Sequence, residues 1–144
     1  MTKILAFSGS GRRDSFNQRL VSIAAEGARA AGAEVTLINL RDFPLPIFDE
    51  DLEAEGRTEP ARQLKELFLS HQGLLIASPE YNSSLAPLLK NALDWVSRRE
   101  AGEGRLAAFA EKTAAVKGAS PGHPGGPRRP GPPPAVPRHV GGLG

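Results

Sequence analysis

The 144-residue sequence predicts an α/β fold, a doubly wound open parallel sheet with helices on both faces. Three observations carry that prediction. Strand-like and helix-like segments alternate in the order β-α-β-α-β-α-β. The strand segments are continuously apolar, as strands buried on both faces are, rather than alternating with polar residues. Right-handed crossovers between such strands put helices on either side of one sheet.

Each element has its own signal. Residues 3–8 (KILAFS) form a short apolar run that ends in small residues, the first strand. The stretch FNQRLVSIAAEGARAAG repeats Phe16, Leu20, Ile23 and Ala24 at helical spacing, with Asp14 or Ser15 placed to cap its start and Gly32 to stop it. Residues 34–40 (EVTLINL) are β-branched, the second strand. A proline-punctuated acidic loop is expected over 41–60. ARQLKELFLSHQ then carries Leu64, Leu67 and Phe68 on one helical face. GLLIASP is the third strand, stopped by Pro79. SLAPLLKNALDWVSRRE is a helix with Leu85, Leu88, Leu89, Ala92, Leu93 and Val96 in register and Pro87 in its first turn. Residues 112–116 (KTAAV) are the fourth strand.

Charge and composition exclude several classes. All 16 acidic residues lie at or before Glu111, against 13 Lys and Arg there, so this part is net −3; five Lys and Arg follow with no acid. The basicity belongs to the tail, and no RNA-binding or zinc-finger pattern accompanies it, so no nucleic-acid partner is expected. No apolar run approaches the roughly 20 residues of a membrane span, and the N-terminus lacks a secretory signal, so a cytoplasmic protein without a membrane partner is expected. The absence of cysteine removes disulfides and thiol nucleophiles.

Two loops could carry chemistry, and both leave the carboxyl ends of strands, where open parallel sheets bind ligands. The first, Ser8-Gly9-Ser10-Gly11-Arg12-Arg13-Asp14-Ser15-Phe16-Asn17, combines backbone N–H groups, hydroxyls, an arginine and a helix N-terminus, which together suit a phosphate. An ordinary turn before a capped helix has the same composition. The loop is neither a Walker loop nor a Rossmann fingerprint, because Gly-Lys-Ser/Thr and the third glycine are missing. Phe7 and Ser8 stand where a response regulator carries acids, and no cysteine is present for a low-molecular-weight tyrosine phosphatase. The second loop, Ser78-Pro79-Glu80-Tyr81-Asn82-Ser83-Ser84, holds the only tyrosine. Its residues suit the edge and face of a flat ring, or simply a packed tyrosine.

The stretches GSGRRDSFN (9–17) and SPEYNSSLAPLLKNALDW (78–95), with ASPG (119–122), resemble the NADPH-dependent FMN reductases, flavodoxin-like proteins that include quinone, chromate and azo-dye reductases. The resemblance runs from about residue 1 to residue 122. It implies a flavodoxin-like sheet of strand order 2-1-3-4, with FMN and NADPH as cofactors. It implies that Ser10, Arg12, Ser15 and Asn17 hold the FMN phosphate, that Pro79, Glu80, Tyr81, Asn82 and Ser83 line the flavin ring, and that Ser120 and Gly122 approach it. It further implies a homodimer or homotetramer that passes electrons to a small-molecule acceptor (a quinone, an azo dye, chromate or free flavin). No catalytic side chain is implied, because the flavin carries the chemistry. The rival readings are a flavin-binding electron carrier without NADPH turnover and an inactive truncated product.

The remaining conspicuous residues have plainer roles. His71 is expected at a helix C-terminus or the surface, and His123 and His139 are isolated. The acidic run Asp49-Glu50-Asp51-Leu52-Glu53 lacks the glycine of an EF-hand and is expected to be a solvated loop, so no metal site is assigned. Trp95 is expected in the core or a subunit contact, and Arg98-Arg99 in the last turn of their helix.

Residues 1–120 thus read as an incomplete flavodoxin-like FMN-binding domain. The last 24 residues, with 8 Pro and 7 Gly, read as a disordered tail over 121–144. Members of the resembled family continue after the fourth strand with a helix, a fifth strand and a final helix, which this composition does not supply. The abrupt change after Pro121-Gly122, in a chain with 13 Arg and 5 Lys, fits a frameshift in a GC-rich gene. An exposed fourth-strand edge and a bare sheet face would then make the chain poorly soluble.

Overall fold

The computed structural model describes residues 1–119. Ser120, Gly122 and the 121–144 segment lie outside the described residues. Strand β1 (Lys3–Ser8) leads through helix α1 (Phe16–Ala30) to β2 (Glu34–Asn39). A 3₁₀ turn (Leu40–Asp42), a short helix α2 (Glu50–Ala54) and helix α3 (Glu59–Ser70) follow. Then come β3 (Gly73–Ala77), a hairpin of β4 (Glu80–Tyr81) and β5 (Ser84–Leu85), helix α4 (Pro87–Ser97) and β6 (Thr113–Lys117). The main sheet has the order β2-β1-β3-β6 with every neighbouring pair parallel, which is the 2-1-3-4 order expected of the four long strands.

Two apolar layers cover the sheet, and they differ in bulk. On one face Leu5, Phe7, Leu74 and Ile76 meet Leu64 and Phe68 of α3 and Leu89 and Val96 of α4. Phe68 packs between Phe7, tilted by 50°, and Phe109, edge-on at 78°, with ring centroids 5.6 Å away on each side. Fully burying each such side chain contributes roughly 1.5–3 kcal/mol. On the other face Ala6 and Ala77 meet Val21 and Ala25 of α1, so small residues let that helix sit close to the sheet. The strand β6 forms one edge and is largely exposed, Lys117 included.

Three sequence expectations need correction. The segment 84–100 is not helical throughout. Ser84–Leu85 pairs with Glu80–Tyr81, and the helix runs from Pro87, which lacks an N–H to waste at that position, to Ser97. The acidic run is a short helix rather than a loop, with Asp49, Glu50 and Asp51 exposed as expected; Asp49 caps α2 by accepting from Asp51 and Leu52 N–H, and Glu53 pairs with Arg98. Arg98 and Arg99 therefore lie past the end of α4. The Arg98 Nε donates to both Glu53 oxygens at 2.9 and 3.0 Å, and that hydrogen bond holds its guanidinium above its ordinary pKa.

Around this pair the far side of the molecule is stapled by charge. The buried Lys65 Nζ donates to Glu103 Oε2 at 2.5 Å and to Arg98 O at 2.6 Å. The hydrogen bond from Lys65 keeps the Glu103 carboxyl below its usual range. His71 caps the C-terminus of α3 as expected, but it is buried rather than exposed. Its Nδ1 lies 2.6 Å from Leu67 O and its Nε2 2.8 Å from Thr36 Oγ1. Trp95 is in the core, its Nε1 donating to Pro46 O at 2.8 Å.

Candidate functional site

The site is built at the carboxyl edge of the sheet, where the turns after β1, β3 and β6 meet. Gly9 N–H donates to Ala77 O at 2.7 Å and Ser78 N–H to Lys117 O at 2.9 Å, so each turn is tied to the next strand. The approach is close enough to require glycine twice. A Cβ on Gly9 would lie 2.8 Å from Ser78 Oγ, and one on Gly118 would lie 3.0 Å from Ser78 O.

The first loop is organised from within. The buried Ser8 Oγ accepts from Ser10 N–H at 3.0 Å, and Ser10 Oγ accepts from Arg12 N–H at 3.4 Å. Ser15 is the N-cap of α1; its hydroxyl accepts from Asn17 and Gln18 N–H. Asp14, just before it, takes the left-handed conformation with φ 54°. The N–H groups of Gly11, Arg13 and Asp14 find no acceptor among the described residues. This is the donor set that a phosphate uses: free amides and hydroxyls at the positive end of a helix. Arg12 reaches over the Phe16 ring, its guanidinium carbon 5.9 Å from the centroid, and stays exposed.

Asn17 is placed differently from its neighbours. It is 4% exposed. Its Nδ2 donates to Ala119 O at 3.1 Å, and Ala119 N–H donates to its Oδ1 at 2.9 Å. The side chain thus spans to the loop after β6 instead of opening into the first loop.

The second loop protrudes. Pro79 is half-buried, and Glu80, Tyr81, Asn82 and Ser83 are exposed. Asn82 and Ser83 close a two-residue hairpin with φ of 51° and 63°, the sign a tight right-twisting hairpin demands. Tyr81 stands 52% exposed on this hairpin.

One residue escaped the sequence reading. Arg41, just past the end of β2, lays its stem over the first loop; its Cγ is 3.5 Å from where a Gly11 Cβ would stand. Its backbone N–H is pinned to Asn39 Oδ1 at 3.0 Å. The available signal was its position two residues beyond a strand's carboxyl end. The groups whose protonation is displaced, Arg98, Glu103 and Lys112 (the last pushed down by burial), all lie away from these loops. No cluster of metal-ligating side chains exists among the described residues, and no helix there is long and apolar enough to cross a membrane.

Known proteins resemble the chain in sequence and in fold. Residues 2–129 match the family described as NADPH-dependent FMN reductase. An NAD(P)H-dependent FMN reductase of Pseudomonas aeruginosa is 37% identical over 120 residues, covering 83% of this chain and 60% of that protein. An NADPH:quinone oxidoreductase of Arabidopsis thaliana is 34% identical over 129 residues, covering 88% of this chain and 62% of that one. Among solved structures, the flavoenzyme NAD(P)H:(acceptor) oxidoreductase of Paracoccus denitrificans superposes with a TM-score of 0.69 at 31% identity, covering 85% of this chain and 63% of that chain. The chain therefore spans about three fifths of the length of these relatives.

Proposed function

Because the chain belongs to the NADPH-dependent FMN reductase family and has its flavodoxin-like fold, we propose that it binds FMN and acts as an NAD(P)H-dependent oxidoreductase. The observation that carries this reading is the first loop, whose N–H groups at Gly11, Arg13 and Asp14 have no acceptor among the described residues and lie just before the positive end of α1. Ser10, Arg12 and Ser15 would hold the phosphate there. Arg12 and Arg41 supply positive charge that a dianionic phosphate needs and that no carboxylate satisfies among the described ion pairs. Pro79, Glu80, Tyr81, Asn82 and Ser83 would line the ring, with Tyr81 offering a flat apolar face and the hairpin backbone offering donors. FMN, if bound there, would supply the redox chemistry between NAD(P)H and a small acceptor, for which the NADPH:quinone oxidoreductase named above makes a quinone the first choice. The chain's own part is to grip, orient and shield the cofactor, and no side chain is needed as general acid or base.

Residues 1–120 would form the flavin-binding domain, cytoplasmic and paired with itself as a homodimer or homotetramer. The exposed hairpin supports pairing, since a partner would cover it. The test is direct. The purified full chain is titrated with FMN, then with NADPH under anaerobic conditions. Flavin absorption that appears with the protein and bleaches on NADPH addition is expected. FMN uptake without bleaching indicates an electron carrier, and no uptake rejects the reading.

A further inference from the structure

The contacts at the sheet edge form a closed circuit. Gly9 packs on Ser78, Ser78 on Gly118, and Ala119 closes back on Asn17 in the first turn of α1. Two links join strand-end turns that adjoin because their strands adjoin. The third, between residues 102 apart in sequence, is made by one side chain. Asn17 uses both halves of its amide on one peptide group, donating from Nδ2 and accepting at Oδ1. The side chain is buried, so removing it would leave the part-buried Ala119 N–H and C=O without these partners. Leaving such groups unmade is the expensive arrangement.

Resting on the flavoprotein reading, we propose that Asn17 is a positioning residue. Its amide latches the loop after β6 to the start of α1 and fixes that loop against the turns that hold both ends of the flavin. It acts on the cofactor through Ala119 and Gly118, with no contact to the phosphate. The rival assignment, direct phosphate binding, makes a different forecast. A phosphate ligand matters to FMN and not to riboflavin, whereas a latch matters to both.

The experiment compares FMN and riboflavin binding, by quenching of flavin fluorescence, in the unaltered chain and in Asn17→Ala and Asn17→Asp. Circular dichroism checks that each variant is folded. In Asn17→Ala both dissociation constants are expected to rise together, roughly tenfold, the equivalent of about 1.4 kcal/mol. Asn17→Asp adds a signature. A carboxylate there still accepts from Ala119 N–H but opposes Ala119 O, and burial against that carbonyl raises its pKa. Once protonated in mild acid it regains the donor, so riboflavin affinity recovers as the pH falls. The unaltered chain and Asn17→Ala show no such recovery. If Asn17→Ala does not fold, the Asn17→Asp acid recovery with riboflavin decides alone, and its absence overturns the latch. Loss of FMN affinity with riboflavin unchanged also overturns it, as does no change in either ligand. Failure of the unaltered chain to bind FMN overturns the flavoprotein reading itself, a result distinct from all of these.

Discussion

The loop at 9–17 and the hairpin at 80–85 leave neighbouring strands at the same edge of the sheet, yet they are built in opposite ways. The first is packed from below, with Ser8, Gly9, Ser15 and Asn17 buried and hydrogen-bonded to strands or caps. The second stands clear, with five consecutive exposed residues, Glu80 to Ser84, held by a two-residue turn. Under the proposed function, the difference would serve what each end of a flavin mononucleotide requires. A phosphate is recognised by fixed donors, which must be in place before it arrives. A ring is recognised largely by area, and an exposed surface can be covered when the ring or a second subunit arrives.

The sharpest way to break this contrast is to crowd the packed loop. Gly9→Val would force its Cβ to 2.8 Å from Ser78 Oγ and 3.0 Å from Leu89 Cβ, both of which are themselves packed. A loss of about 3 kcal/mol in unfolding free energy is expected, the upper end for overpacking, with FMN binding lost as well. Urea unfolding measures it; a midpoint equal to that of the unaltered chain would show the turn to be soft.

Charge removal separates binding from stability. Arg12→Ala should weaken FMN binding by roughly 1–3 kcal/mol, the value of a charge-assisted hydrogen bond, while leaving thermal stability within about 0.5 kcal/mol. Isothermal titration with FMN gives the first number and a thermal melt the second. Equal losses in both would mean that Arg12 serves the fold through Phe16 instead. On the hairpin, Tyr81→Ala should leave stability unchanged to the same margin. Flavin affinity should drop by about 1 kcal/mol, as for loss of one aromatic contact. Riboflavin should report that drop as fully as FMN does.

A control belongs on the far side of the molecule, where charge holds the fold and no ligand is expected. The Glu103 carboxyl has its pKa lowered by the Lys65 hydrogen bond. Its contribution is therefore complete above the ordinary carboxyl value and is lost as the pH falls through the lower, folded value. Glu103→Gln should cost about 1–2 kcal/mol at neutral pH and remove that part of the acid sensitivity, with FMN affinity untouched. Denaturant midpoints between pH 7 and pH 3 check it, and an unchanged acid limb would remove Glu103 from the staple.

How much of this the sequence revealed follows from the range of the interactions involved. The order of the strands followed from the family resemblance, whereas the strands themselves were legible because continuous apolar runs such as GLLIA are local signals. Ser15 as a cap and the donor-rich first loop were legible for the same reason. The hairpin at 84–85 was not, because Leu85 continues the apolar register of α4 and hides the turn that Asn82 and Ser83 make. Glu53 reading as solvent and Arg98 reading as helix both failed on a pairing 45 residues apart, which no spacing rule reports. Asn17 is the extreme case: its neighbours mark a phosphate loop, and its partner, Ala119, is a residue with no side-chain signal at all.

The smallest expected effect bears on whether the hairpin is strained or merely exposed. Ser83 sits at φ 63°, a region that costs a non-glycine residue about 1–2 kcal/mol, and unlike Asn82 it is not a residue type that visits this region routinely. Ser83→Gly removes that cost but widens the unfolded ensemble, an opposing term of roughly 0.5–1 kcal/mol. The balance is a gain of about 0.5 kcal/mol, a rise in Tm of about 2 °C for a domain of this size. Gly at this position also suits the turn type, so the hairpin geometry should persist and FMN affinity should stay the same. A higher Tm with unchanged affinity would show that the turn carries strain unrelated to binding. A higher Tm with weaker binding would show that Ser83 contributes its hydroxyl to the ligand, and a lower Tm would show that the hairpin is at rest as it stands.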